Sequence, residues 1–128
     1  MHELSAATAI LRTVQQTAEG RNARKITKVR VEIGELTLLN PEQLRFCFGI
    51  AAKDTIAEGA ELEVEVNPAT IECSSCGKRF EWSMPGNDPA YHLVSPRIGC
   101  HCGSSDVRIS SGRDLKVVNM TVEKALGE

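Results

Sequence analysis

The 128 residues carry 15 Lys and Arg against 17 Asp and Glu, and a formal charge of −2 excludes a global electrostatic attraction to nucleic acid or to an anionic membrane. The length fits one ordinary domain, or one small domain with a metal-stapled appendage. No apolar run approaches the roughly 20 residues that span a bilayer, and a polar His2-Glu3 pair opens the chain in place of a signal sequence, so the expectation is a cytoplasmic protein with no membrane partner.

From Leu4 the apolar positions Leu4, Ala7, Leu11, Val14 and Ala18 recur at three and four residues, the stripe of an amphipathic helix that stops near Gly20. Arg21, Arg24, Lys25, Lys28 and Arg30 follow with no acid among them, and are read as a solvated loop and strand edge. Val29, Val31 and Ile33 alternate with Lys28, Arg30 and Glu32, the period of a half-buried strand, with Gly34 at its weak end. A second helix begins at Asn40-Pro41-Glu42-Gln43: an N-cap, a proline at the first helical position, and a glutamine placed to cap back. Its core face is expected to be Leu44, Cys47, Phe48 and Ala51, with Cys47 a small buried hydrophobe and not a ligand.

Leu62, Val64 and Val66 alternate with Glu61, Glu63 and Glu65, a second strand with one acidic face that Pro68 closes. Between Thr70 and Gly112 the texture changes to Cys, Gly, Ser and Pro, with too few large apolar residues to fold unaided. After Gly112 the run Leu115, Val117, Val118, Met120 and Val122 predicts a third strand, so the cysteine-rich stretch reads as an insert between two strands of one sheet. The break in alternation at Val117-Val118 implies a bulge or burial on both faces.

Four of the five cysteines form two tight pairs, Cys73/Cys76 and Cys100/Cys102, which in a reducing compartment point to metal ligation before disulfide bonding. A Cys-x-x-Cys turn brings two thiolates to one ion while its amides soften their charge, and two such knuckles complete a tetrahedron with Zn–S of about 2.3 Å. Cys73-Ser74-Ser75-Cys76-Gly77 fits that pattern, whereas Cys100-His101-Cys102-Gly103 has one residue between its cysteines where two are usual. The ligands are therefore all four cysteines, or three with His101 or His92 replacing one thiolate. Four closed ligands leave no open position, which makes such an ion structural.

At the other end, a histidine at position 2 behind a free α-amine is itself a chelator. The amine of Met1, the deprotonated His2 amide and imidazole Nδ1 close five- and six-membered rings, a planar nitrogen set that suits Ni(II) or Cu(II).

Met1-His2-Glu3-Leu4-Ser5, Ile33-Gly34-Glu35-Leu36, Pro41-Glu42 with Leu44, Phe46 and Phe48, and the late cysteine pairs together resemble the HypA/HybF family, nearly end to end. That resemblance implies a metallochaperone, not an enzyme, that delivers nickel to [NiFe]-hydrogenase. It implies Ni(II) as cargo at Met1, His2 and Glu3, and structural Zn(II) in a zinc-ribbon-like part, with Cys73, Cys76 and Cys102 matching three zinc positions. The fourth departs from the family, which usually has Cys-Pro-x-Cys where this chain has Gly99-Cys100-His101-Cys102. The implied partners are the GTPase HypB and the hydrogenase large-subunit precursor, with urease and its accessory proteins served by some members. The implied fold is α+β: two helices packed on a small three-stranded sheet, built from residues 1–69 and 113–128, with 70–112 as an inserted zinc-ribbon-like domain.

Two rivals are weaker on the residues. A zinc-ribbon nucleic-acid or regulatory module lacks a phosphate-neutralising surface, because Lys78, Arg79, Arg97 and Arg108 are balanced by Glu72, Glu81, Asp88 and Asp106. A thiol redox protein using Cys73 and Cys76 needs a helix N-terminus or a nearby cation to lower a thiol pKa, and a glycine-containing knuckle after a strand fits zinc better.

Overall fold

The computed structural model describes residues 2–82 and 98–124. Helix α1 (Glu3–Glu19) and helix α2 (Pro41–Ala51) lie on one face of a sheet in the order β2-β1-β6, built from β1 (Ala23–Gly34), β2 (Glu61–Asn67) and β6 (Leu115–Lys124). β1 is central, parallel to β2 and antiparallel to β6. A second sheet, β4-β3-β5, is formed by β3 (Ala69–Cys73), β4 (Arg79–Trp82) and β5 (Val107–Ser111), all antiparallel.

The core of the first sheet is apolar throughout. Ile10, Val14, Ile26, Val29, Val31, Ile33, Leu44 and Phe48 are all within 1% of complete burial, and no polar side chain is buried among the described residues. Helix α1 buries Ala6, Ala7, Ile10, Leu11, Val14 and Ala18. Leu4, expected in that stripe, is 56% exposed, because it sits in the first turn beyond the end of the core, and Ala6 and Ile10 widen the buried face instead. In α2, Leu44 and Phe48 are buried while Cys47 and Ala51 pack half-buried against them.

The basic run expected at a strand edge lies instead largely on the central strand, its charges directed to the sheet face away from the helices. There Arg24 pairs with Glu123, Lys28 with Glu63 and Arg30 with Glu65, at 3.0, 2.9 and 3.2 Å. The spacing of buried residues on β1 is three between Ile26 and Val29 because the register with β6 slips there, two residues of β1 opposing one of β6. A reverse slip opposite Arg30 and Val31 leaves Val118 unpaired and 42% exposed, which resolves the Val117-Val118 break as a bulge.

The N-cap of α2 departs from expectation in one atom. Asn40 Oδ1 accepts from the Glu42 and Gln43 amides at 2.9 and 3.1 Å, as the sequence implies. The Asn40 amide, however, donates to Glu3 Oε2 at 3.0 Å, so a carboxylate from α1 fills the place expected for Gln43.

The two sheets meet at a close backbone crossing. The Gly34 amide donates to the Asp114 carbonyl and the Leu36 amide to the Gly112 carbonyl, each at 2.8 Å. A Cβ on Gly34 would stand 2.1 Å from the Gly112 oxygen, and one on Gly112 2.7 Å from the Ala69 Cβ, so only glycines fit.

Candidate metal centre

The second sheet exists to hold two turns. Ala69, Ile71 and Cys73 alternate inward along β3, and Ile71 is the one large side chain there that is fully buried. On the other face Glu72 accepts hydrogen bonds from Arg79 of β4 and Arg108 of β5, tying all three strands through one carboxylate and holding it below the usual carboxylate range. Beyond β3 the chain turns through Cys73–Gly77, where the Gly77 amide donates to the Cys73 carbonyl at 2.9 Å and Gly77 takes φ +75°, the left-handed conformation that glycine adopts without cost. Ahead of β5 the turn Cys100–Gly103 repeats the device with one residue fewer: the Gly103 amide donates to the Cys100 carbonyl at 3.0 Å, and Gly103 takes φ +93°. The short Cys-x-Cys spacing is therefore a four-residue turn facing a five-residue one, each ending on a left-handed glycine.

These turns bring the four thiols together. The sulfurs of Cys73, Cys76, Cys100 and Cys102 all lie within 4.8 Å of one another. They pair crosswise, Cys73 with Cys102 at 3.7 Å and Cys76 with Cys100 at 3.6 Å. A tetrahedron of thiolates with bonds near 2.3 Å has sulfurs about 3.8 Å apart, whereas a disulfide needs about 2.05 Å, so the arrangement fits a metal ion and not two bridges. The first cysteine of each turn is buried and the second exposed. The Cys73 thiol is drawn down to about 7, chiefly by the Cys76 amide and further by that of Ser75 and by the neighbouring thiols, against burial. Amides aimed at a sulfur are what a thiolate ligand requires.

His101, weighed as a replacement ligand, is exposed and lies outside the sulfur cluster, its ring tilted against Phe80 with centroids 6.1 Å apart. His92 lies outside the described residues, as does Met1. Among the described residues no other set of three or more His, Cys, Asp or Glu could hold an ion. Cys47 is not part of this cluster; it lies half-buried on α2 against the main core.

At the N-terminus His2 is the exposed N-cap of α1 and makes no side-chain capping bond, while its carbonyl accepts the Ala6 amide at 2.9 Å. The amides of the first helical residues have no partner within the helix, so those of His2 and Glu3 can lose a proton without breaking a helical hydrogen bond. Positive potential at a helix start also favours an anionic amide nitrogen. The Glu3 carboxylate, by contrast, is committed to Asn40.

Residues 1–122 match the family model described as hydrogenase/urease nickel incorporation, metallochaperone, hypA. The chain belongs to the HypA family. It is 42% identical over 123 residues to the hydrogenase maturation factor HypA of Archaeoglobus fulgidus, covering 96% of this chain and 99% of that one. The HypA of Chlorobium phaeobacteroides is 41% identical over 124 residues, covering 96% of this chain and all of the other. The fold is similar to the solution structure of the Ni metallochaperone HypA from Helicobacter pylori, with a TM-score of 0.64 at 21% identity over 98% of this chain. HypA proteins are thus maturation factors of the nickel-incorporation class, and this member carries a four-cysteine cluster fitted to a metal ion.

Sequence reasoning did not reach three contributors: the Glu72 carboxylate, the Glu3 bond to Asn40, and a serine pair, Ser75 and Ser104, whose hydroxyls meet at 2.8 Å between the two turns. Glu72 carried a usable signal, since Ala69 to Cys73 alternates as a strand does; the serines carried none.

Proposed function

We propose that this chain is a nickel carrier that binds Ni(II) through the Met1 amine, the His2 amide and imidazole and the backbone amide of Glu3, and hands it to the precursor of a [NiFe]-hydrogenase large subunit. What carries this reading is the match to the nickel-incorporation family, extending from residue 1 to residue 122. The exposed His2 at the head of α1, with helix-free amides beside it, supplies a chemistry for it. Two amidates, an amine and an imidazole around Ni(II) give a neutral planar complex, which is compatible with the positive end of a helix.

On the same reading the four cysteines hold a structural Zn(II), residues 70–112 form the inserted zinc domain, and residues 1–69 with 113–128 form the nickel domain. Family members' nickel donors and acceptors supply the partners: the GTPase HypB, the large-subunit precursor, and urease accessory proteins where urease is served. The chain is then a cytoplasmic carrier and not a catalyst. No helix among the described residues is long and apolar enough to cross a membrane. The nucleic-acid alternative is disfavoured because two of the insert's basic residues, Arg79 and Arg108, are already bound to Glu72.

Titration calorimetry of nickel into three forms tests the carrier site: the native chain, a form extended by one residue before Met1, and His2→Ala. The native form should bind tightly, the extended form should lose most of the affinity, and His2→Ala should abolish tight binding while keeping zinc and fold. Because binding releases protons from the amine, the imidazole and both amides, affinity should fall steeply as pH falls. Equal affinity in native and extended forms would remove the amine from the ligand set and move the site elsewhere.

A further inference from the structure

The Cys100–Gly103 turn is one residue shorter than the turn it faces, and that difference has to be absorbed. A shorter chelate ring restricts the directions in which its two sulfurs can point, so the turn as a whole must be oriented for both to reach one ion. The sulfurs nevertheless sit at near-tetrahedral separations, 3.7 and 3.6 Å across the two turns. Something other than the local spacing sets the orientation.

The groups that do so are on the far side of the second turn. Ser104 follows Gly103 directly, and its carbonyl accepts the Cys100 amide at 2.9 Å, closing the turn on itself. Its hydroxyl accepts the Asp106 amide at 3.0 Å and meets the Ser75 hydroxyl at 2.8 Å. Ser75 stands between Cys73 and Cys76, in the middle of the opposite turn. The Asp106 carbonyl in turn accepts the Ser74 amide at 2.9 Å. Ser104 thus closes its own turn through its carbonyl, while its hydroxyl joins the Asp106 amide behind the turn to the Ser75 hydroxyl of the opposing turn. Among the described residues that hydroxyl pair is the one side-chain hydrogen bond between oxygens that joins the two turns.

We propose that Ser75 and Ser104 are positioning residues for the metal, forming a hydroxyl clamp that holds the short Cys100–Gly103 turn in register with the Cys73–Gly77 turn. This rests on the zinc reading above. In the metal-loaded protein the clamp keeps Cys100 and Cys102 aimed at the ion while a sulfur momentarily dissociates, so that it rebinds before the ion leaves. Losing the clamp leaves the ligand set intact and accelerates loss of the ion.

Zinc-loaded full-length protein is mixed with excess colorimetric chelator and the release rate is followed for native, Ser75→Ala, Ser104→Ala and the double variant. Ser75 is exposed, so its replacement removes a hydroxyl without disturbing packing. Ser75→Ala should speed release by about three- to tenfold, the scale of one net hydrogen bond. In the Ser104→Ala background the same change should add nothing, because its partner is already gone. Ser75→Thr, which keeps a hydroxyl, should release at close to the native rate. After cobalt substitution, Ser75→Ala should retain the intense tetrahedral tetrathiolate absorption with its bands displaced from native, showing altered angles with four sulfurs still bound. A native release rate in Ser75→Ala, or an equal acceleration in both backgrounds, overturns the clamp while leaving the zinc reading intact. A native protein that carries no zinc and takes up no cobalt overturns both.

Discussion

The two sheets of this molecule are stabilised by opposite means. The β2-β1-β6 sheet and its helices bury a contiguous core from Ala6 to Leu62 with Phe48 and Ile10 among its largest members, and burial of apolar surface is the dominant favourable term for such a core. The β4-β3-β5 sheet buries Ile71 and little else of size. Its order comes from Glu72 across three strands and from whatever four thiols hold. A core tolerates the loss of one contact because many remain; a sheet organised around one cluster of four thiols does not.

The largest effect should therefore come from the smallest change. On the proposed zinc reading, Cys73→Ser or treatment with a strong chelator should melt the second sheet entirely, because structural zinc contributes on the order of 10–16 kcal/mol in small zinc domains. The first sheet should survive. The inserted stretch then becomes a long loop between β2 and β6, and loop-closure entropy grows only slowly with length, so β6 can still pair with β1. Amide hydrogen exchange would read this directly: protection lost over β3, β4 and β5, retained in α1, α2 and β1. Protection lost across both sheets would show that the halves fold as one unit and would end the comparison.

The reverse experiment is Phe48→Ala. Phe48 is 1% exposed on the inner face of α2, and deleting such a side chain costs about 3–5 kcal/mol in transfer and cavity terms. Urea denaturation followed by helical circular dichroism should show that loss, while the content of the proposed zinc at low urea stays at the native value. Zinc leaving in step with the helices would mean that the metal centre depends on the core.

What could be read from the sequence follows the same division. Period-two and helical patterns exposed the first sheet because burial writes itself into apolar spacing: Val29, Val31, Ile33 and Leu62 were legible at once, and only end effects such as Leu4, and bulges such as those near Thr27 and Val118, moved the details. The second sheet left almost no apolar trace. β4 and β5 each contribute alternation over four or five residues with no fully buried side chain, so only the cysteines announced that half. Cysteine spacing picked out the four thiols that the fold brings together, but it left His101 and His92 open as replacements and did not show how a Cys-x-Cys turn could serve. That depended on Gly103 and Ser104 backbone geometry, which no spacing rule encodes.

The junction sharpens the comparison, since it is where one means of stabilisation hands over to the other. Gly34→Ala would place a Cβ 2.1 Å from the Gly112 carbonyl oxygen, with backbone and not a flexible side chain in the way. The backbone at Gly34 is ordinary extended chain, so the cost is steric alone, about 3 kcal/mol at the upper end for overpacking. Both the Gly34–Asp114 and Leu36–Gly112 hydrogen bonds should weaken, and backbone amide shifts should move on both sheets. Shifts confined to β1 would show that the sheets meet loosely.

The smallest effect is expected on the outer face of β1, where the cross-strand ion pairs form a ladder over water. Lys28 and Glu63 are 2.9 Å apart with side chains 40% and 43% exposed, so solvent screens the attraction and both side chains lose freedom in making it. Their mutual hydrogen bond holds the Glu63 carboxyl below its ordinary 4.5 and the Lys28 ammonium above its ordinary 10.5. The signs follow from linkage. A depressed carboxyl stabilises the fold above about pH 4.5 and loses that contribution as pH falls through the folded value. A raised ammonium stabilises it below about pH 10.5 and loses that contribution as pH climbs through the folded value. Glu63→Gln should therefore lower Tm slightly near neutral pH, by less than any change above, and the difference should shrink on the acid side and vanish in about 1 M salt, where the Debye length is near 3 Å. Melting curves of native and Glu63→Gln protein across pH and salt decide it. A shift that survives high salt, or one as large as that of Gly34→Ala, would mean that the charged face contributes through packing of its side-chain stems and not as a screened ladder, and the contrast between a core-held and a metal-held sheet would then need a third element.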